Sequence, residues 1–363
     1  MNVLLVNNCP AYEGIGRYTS WLYSALQKLD SGIDVLSWES KAIEKIYRKA
    51  RNNYWLSELH VSLRVVSQLY FLLKIPRKYA LYHIASPSLG IAAMRLKPFI
   101  ITFHDLIPFT SARGPADLLL RRSMAHLTKA QRVICVSNYV KGELMRYFDI
   151  DPGIIKVIYN GVDHDLLRPR DKATSRKILG LGEDKVLVLH VGTEEEPKKN
   201  IPTLIKAFHK FQKEVPNAIL MRVGEKTEAA QRLIHSLGLG DKVRYFFAPS
   251  GEVAHFYNAS DLFVFPSSWD GFGLPPLEAM ASGCPVIASN RTSIPEVVGD
   301  AGILVDEFDV DGFADGMLKV YKDEELKGKL TTEGFKQSKL FSWERCARET
   351  MEVYEEVLKR GLD

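Results

Sequence analysis

The chain has 363 residues, 46% of them apolar and 25% charged, with a formal net charge of +4. This predicts two domains of ordinary globular composition; so small a charge excess does not by itself imply a nucleic-acid partner, and none is expected. The four cysteines, Cys9, Cys135, Cys284 and Cys346, are scattered without CxxC or CxxH spacing, which argues against a zinc site or disulfide framework and predicts small buried hydrophobes in a reducing compartment.

The first residues, "MNVLLVNN", lack the basic start and long apolar run of a secretory leader and read as a strand. "GRYTSWLYSALQKL" follows with helical spacing of its apolar residues. "YALYHIAS", "PFIITFHDL", "RVICVSN" and "IKVIYNGV" are further strands. Such continuous apolar runs fit strands buried on both faces of a parallel sheet. Around "DLLRPRDKAT", from Asp165, the chain turns polar and reads as a linker. The pattern then restarts with "KVLVLHVGT", "AILMRVG", "VRYFFAP", "LFVFPS", "CPVIAS" and "GILVD", interleaved with helices. Two α/β domains are the natural reading. The end, "SWERCARETMEVYEEVLKRG", is an amphipathic helix without a sheet partner of its own.

One segment stands apart. From Lys41 to Lys78 there are nine basic and two acidic residues, with Tyr47, Tyr54, Trp55, Tyr70 and Phe71 interleaved. It reads either as a solvated helical pair or as a peripheral patch for an anionic membrane, where each cation contributes about 1 kcal/mol. The nearest candidate for a membrane span, "VSLRVVSQLYFLLKI", is too short and is broken by Arg64 and Gln68.

The stretch from Ser267 to Ser289, "SSWDGFGLPPLEAMASGCPVIAS", carries the chemistry. In open α/β sheets, ligands sit beyond the carboxyl ends of the strands, where loops enter helices. Gly271 and Gly273 allow close backbone approach. Amides around Phe272 to Leu274 suit an anion at the helix start. Asp270 precedes the turn and Glu278 is expected in the first turn of the helix. Both can grip hydroxyls, so the pattern suits a ligand that is part anion and part polyol, a nucleotide sugar. A plain turn and a helix dipole would also account for the two carboxylates.

This stretch resembles the retaining glycosyltransferases of family 4, whose hallmark is two glutamates separated by seven residues. The second is Glu278; Asp270 replaces the first. "EGIGRY", "TFHDLIP" with His104 and Asp105, "VIYNGVD", "HVGTEEEPKKN" and "SIPEVVGDAGILVD" resemble the family's other motifs, in family order.

The resemblance implies a GT-B fold: two Rossmann-like parallel-sheet domains facing each other across a cleft. It implies an acceptor-binding domain over residues 1–168, a nucleotide-sugar domain over 169–341, and a terminal helix, 342–363, packing back on the first domain. It implies that Glu278 binds the donor ribose and Asp270 the transferred sugar. Lys199, with Lys198, would neutralise the diphosphate; Gly14 and Gly16 would bring amides to it; His104 would lie beside the sugar ring. Glu13 stands where the family has a glycine and Thr193 where it often has an arginine, which leaves a second positive charge open between Lys198 and a residue elsewhere.

The implied reaction is retaining transfer of a hexose from GDP-mannose or a UDP-sugar to a glycan or lipid-linked acceptor, in the cytoplasm or at its membrane face. Mannose is favoured by the "GTEEEPKKN" form. No clustered ligand set for a metal is legible, so no metal or other cofactor is expected. Two other readings remain open: a catalytically silent GT-B subunit supporting a partner transferase, and a nicotinamide oxidoreductase, although "EGIGRY" lacks the full GxGxxG.

Overall fold

The computed structural model describes residues 1–9, 14–37, 71, 73–93, 95–106, 126, 128–192, 198–248 and 252–360. Glu13, Thr193 and residues 41–70 of the basic segment lie outside them. Phe71, counted above among the interfacial aromatics, is fully buried and belongs to the interior.

The chain divides into two compact units, one formed by Met1–Gly161 with Trp343–Asp363 and the other by Val162–Ser342. The first division thus falls seven residues before the one read from the sequence, because the polar stretch from Asp165 already belongs to the second unit.

The first unit contains β1 (Val3–Val6), β2 (Ile33–Leu36), β3 (Leu81–Ile84), β4 (Phe99–Phe103), β5 (Arg132–Cys135) and β6 (Ile155–Val157), in the order β2-β1-β3-β4-β5-β6. All pairings are parallel. Every residue of β1, β3, β4 and β5 is buried, as expected for strands covered on both faces. The edge strand β2, with Asp34 exposed, was not legible as a strand in the sequence.

The helix Gly14–Leu29 lies against the terminal helix Trp343–Arg360. Trp343, Cys346, Ala347, Val353, Tyr354 and Val357 share one core with Val3, Leu5, Tyr18, Leu22 and Leu26. The terminal helix is tied to β5 and β6 by ion pairs, Glu356 to Arg132 and Glu352 to Lys156.

The second unit contains β7 (Val186–Val191), β8 (Ala218–Val223), β9 (Val243–Phe246), β10 (Leu262–Phe265), β11 (Val286–Ser289) and β12 (Ile303–Val305). They are parallel in the order β12-β11-β10-β7-β8-β9. This is the doubly wound order of a Rossmann sheet, with its switch point between β7 and β10. The helices Ile201–Glu214 and Val310–Lys322 pack together over one face through Leu204, Phe208, Phe211, Phe313 and Met317. The helices Leu274–Ala281 and Glu324–Ser338 pack on each other. Cys135, Cys284 and Cys346 are buried, whereas Cys9 is half-buried; all four are free thiols.

Among the described residues, no helix is long and apolar enough to cross a membrane. The terminal helix buries several large side chains, each worth about 1.5–3 kcal/mol, against a total domain stability of roughly 5–15 kcal/mol. Deleting residues 343–363 should therefore abolish the cooperative melting of the first unit. Calorimetry of the truncated chain checks this; a first-unit transition within a few degrees of wild type would contradict it.

Candidate active site

The switch point of the second sheet fixes where two loops emerge. β7 feeds the segment containing Lys198 and Lys199, and β10 feeds the loop containing Asp270. The two loops are stitched together by backbone. The Ser268 amide (2.7 Å), the Trp269 amide (3.3 Å) and the Ser267 hydroxyl (3.1 Å) all donate to the Lys198 carbonyl.

Lys199 Nζ then reaches Asp270 Oδ2 at 2.5 Å, and both side chains are less than one-fifth exposed. The ammonium also lies 5.3 Å from the Phe265 ring centroid, within cation–π range. Lys199 is followed by Asn200 in the left-handed region, at φ 49°, whose amide donates to the Glu307 carbonyl. This turn starts the helix Ile201–Glu214 without a side-chain cap.

Asp270 is held at both backbone groups. Its N–H donates to Thr292 Oγ1 at 3.3 Å, and its carbonyl accepts from Ser293 Oγ at 2.9 Å. Thr292 adopts φ 56°, a costly conformation for a β-branched residue, on the order of 1–3 kcal/mol. Strain is thus stored at the contact that sets Asp270.

Gly273 has φ 100°, a backbone conformation that requires glycine; a Cβ there would come within 2.8 Å of Ile294 Cδ1, the movable end of a side chain. It opens the helix Leu274–Ala281, again with no side-chain cap. Pro275 and Pro276 occupy the next positions of the first turn and have no N–H to offer. The donors that this end can present to an anion are therefore the amide of Leu274 and those of the preceding loop. Phe272 is buried edge-on against Phe341, 5.8 Å between centroids, so its side chain serves the core.

Glu278 does not lie in the first turn, as the sequence suggested. The helix begins at Leu274, which places Glu278 one turn in, at 2% exposure. Its Oε2 accepts from the Tyr257 hydroxyl at 2.9 Å. A buried carboxylate needs such donors, because desolvating a charge costs several kcal/mol otherwise.

In the first unit, Gly14 opens its helix, and a Cβ there would meet open space; Gly16 is buried. The Tyr18 ring, one turn on, stands edge-on to His104 at 4.5 Å between centroids. His104 Nε2 donates to the Ala85 carbonyl at 3.0 Å. The neutral ring therefore presents Nδ1 as an acceptor. Loss of hydration holds the His104 pKa down to about 4, against the opposing hydrogen bond to Ala85. Behind it, Tyr18 bonds Thr102 (3.2 Å), Thr102 bonds His83 Nε2 (2.8 Å), and His83 Nδ1 bonds Tyr354 of the terminal helix (2.7 Å). Burial, with His104 nearby, pushes His83 down to about 3.

Sequence reasoning missed several groups here. Arg222 on β8 is fully buried and donates from Nη1 to His190 Nδ1 on β7 at 2.5 Å. Burial first, then Arg222 and Lys199, hold His190 well below its ordinary pKa, so it is neutral. The available signal was a single basic residue in each of two otherwise apolar strands, "VLVLHV" and "AILMRV". Tyr257 and Thr292 left no comparable signal. No group of three or more metal-ligating side chains occurs among the described residues. A 360 Å³ cavity bounded by Lys172, Arg176, Asp184, Asp261 and Lys327 lies at the amino edge of the sheet and contains none of these site groups.

The family model for group 1 glycosyl transferases matches residues 171–337, and that for glycosyltransferase family 4 matches residues 12–166. The O-antigen chain mannosyltransferase B of Escherichia coli is 32% identical over 271 residues, 72% of this chain and 71% of the relative. A D-inositol 3-phosphate glycosyltransferase of a Nocardioides species is 33% identical over 62% of this chain, an alignment spanning 53% of the relative. Among solved structures, sucrose-phosphate synthase of Thermosynechococcus elongatus superposes with TM-score 0.78 at 21% identity, covering 99% of each chain. The Anabaena protein HepE, solved with UDP and glucose, gives TM-score 0.75 at 18% identity over 98% of this chain and 99% of that one. At such identities these two likenesses speak to fold alone. The fold is that of the GT-B glycosyltransferases. The chain belongs to the group 1, family 4 glycosyltransferases.

The depressed pKa values of His104 and His83 carry a sign. The unfolded chain takes up protons below about pH 6.5, whereas the folded chain resists until pH approaches 4. Their contribution to stability is complete above about pH 6.5 and is lost as pH falls toward 4 for His104 and toward 3 for His83. The stability gap between wild type and H104Q should narrow over that interval, read by urea titration at several pH values. A gap constant from pH 7 to 4 would contradict the assignment.

Proposed function

We propose that this chain transfers a hexose, with retention of anomeric configuration and without a metal ion, from a nucleoside-diphosphate sugar to a hydroxyl of a glycan or lipid-linked acceptor. GDP-mannose is the favoured donor. The observation that carries this reading is the Lys199–Asp270 ion pair beside the uncapped start of the Glu278 helix, at a sheet switch point. Mannosyltransferases among the relatives support the choice of sugar.

In the reaction, the bond between C1 of the sugar and the diphosphate oxygen breaks with its electron pair leaving on the oxygen. The acceptor oxygen forms the new bond to C1, and its proton passes to the departing diphosphate oxygen, which has taken the electron pair. The largest demand is positive charge placed in advance at the leaving oxygen. Lys199 supplies it, joined by Lys198 and by amides around Gly271, Gly273 and Leu274. Before the donor arrives, Asp270 occupies the ammonium. When the diphosphate takes up Lys199, the Asp270 carboxylate turns its acceptor capacity to the sugar hydroxyls. Glu278 accepts from the ribose hydroxyls. His104, neutral with Nδ1 as acceptor, is assigned to a sugar hydroxyl, and Gly14 and Gly16 to the phosphate side.

E278Q removes the charge while keeping the shape. Donor turnover should fall about 100-fold, the cost of one charged hydrogen-bond set, with circular dichroism unchanged; wild-type rates would remove Glu278 from the site. Transfer should also persist in excess EDTA, and GDP-mannose should raise the melting temperature more than UDP-sugars do. Complete loss of transfer in chelator, restored by magnesium or manganese, would contradict the metal-free reading.

A further inference from the structure

The segment leaving β11 runs beside the Asp270 loop. Thr292 and Ser293 bond the Asp270 backbone, and Ile294 reaches the Gly273 turn. Arg291, one residue earlier, is therefore held next to the same loop. Its Nε lies 2.9 Å from Oε1 of Glu307, just beyond β12. The Asn290 amide donates to the Val305 carbonyl at 2.7 Å, which joins the two strand ends. Glu307 is fixed in turn to the other half of the site, because its carbonyl accepts from the side chain of Asn200, the residue after Lys199. One arginine is thus anchored to both the Asp270 loop and the Lys199 turn.

The pair is a poor device for stability. The Glu307 side chain is 8% exposed and that of Arg291 56%, so a carboxylate that loses its hydration meets a cation half in water. It is a good device for orientation. Engaging Nε fixes the guanidinium plane and leaves the N–H groups of both Nη nitrogens, which no acceptor among the described residues takes. A planar fork of that kind matches the oxygens of a phosphate two at a time.

We propose that Arg291 binds the diphosphate of the donor as the second positive charge beside Lys199, and that Glu307 is the positioning residue that aims it. This rests on the reading of the Lys199 end of the site as the place of the diphosphate. A diphosphate carries more than one negative charge. Lys199 offers a single positive charge, held by Asp270 until the donor arrives. Negative charge on the diphosphate grows as its bond to the sugar breaks, so a cation fixed in advance gains most at that moment.

The test measures binding of GDP, GMP, UDP and UMP to the full chain by calorimetry, since only the diphosphates carry the second phosphate group. Wild type should favour its preferred diphosphate over the matching monophosphate by about 100-fold, and K199M should lower that ratio about tenfold. R291M should lower it by a similar factor while monophosphate affinity stays at the wild-type level. E307Q, which keeps the arginine but weakens its anchor, should lower it as well. An R291M chain that keeps the wild-type ratio, even with both nucleotides weakened, overturns the role of Arg291; if K199M still lowers the ratio, the donor reading stands. A wild-type ratio near one, or one that K199M leaves unmoved, overturns that reading and this proposal with it. A wild-type ratio in E307Q overturns the part given to Glu307. Should R291M fail to fold because Glu307 is left unpaired, R291M/E307M takes its place, since removing both partners leaves no buried charge. The same fall in ratio is expected there, and a wild-type ratio overturns the proposal.

Discussion

The second unit is organised around keeping a positive charge, and the carboxylate that answers it, at the carboxyl end of a buried parallel sheet. Lys199 and Asp270 are each less than one-fifth exposed, so each ion is only partly hydrated and leans on the other. Two enclosed opposite charges hold a geometry only if their backbones cannot drift apart. The Lys198 carbonyl takes three donors from the facing loop, and Thr292 and Ser293 clamp Asp270 from the other side. The Ser289 hydroxyl closes the set by donating to the Ser267 carbonyl at 2.5 Å. The strained φ of Thr292 is tolerated because these bonds leave it no alternative.

The two units solve the placement of polar groups differently. In the second, charges meet at loop ends and are fixed by backbone. In the first, a chain of neutral hydroxyls and one imidazole runs from Tyr18 through Thr102 and His83 to Tyr354. Such a network stiffens a core only if every member is satisfied. It makes the terminal helix part of the support beneath His104, the residue that Tyr18 flanks.

Most of the architecture was legible because buried parallel strands announce themselves as apolar runs. Among the described residues, eleven strands fall on runs visible in the sequence; β2, an edge strand interrupted by Asp34, does not. Lys199, Asp270 and the glycine turn were legible because loops after switch-point strands have a fixed place in the fold. Glu278, expected in the first turn, lies one turn further in because the helix already starts at Leu274, directly after the Gly273 turn. Tyr257 and Thr292 stayed hidden for another reason. A tyrosine inside an apolar helix looks like core, and a threonine in a polar loop looks like filler; only the fold shows which carboxylate each one meets.

The terminal helix also gives the chain an order of assembly. The first unit is interrupted in sequence: its strands are made early, but the side chains that close its core, from Trp343 to Val357, are made last. The second unit, Val162–Ser342, is continuous and lies between them. At roughly 5–20 residues per second of synthesis, the ribosome leaves Val3, Leu5, Leu22 and Leu26 without their covering helix for about 10–40 s while the middle of the chain emerges. The unit that begins translation is therefore the second to finish folding, and during that interval its half-built core is a surface for chaperones to cover.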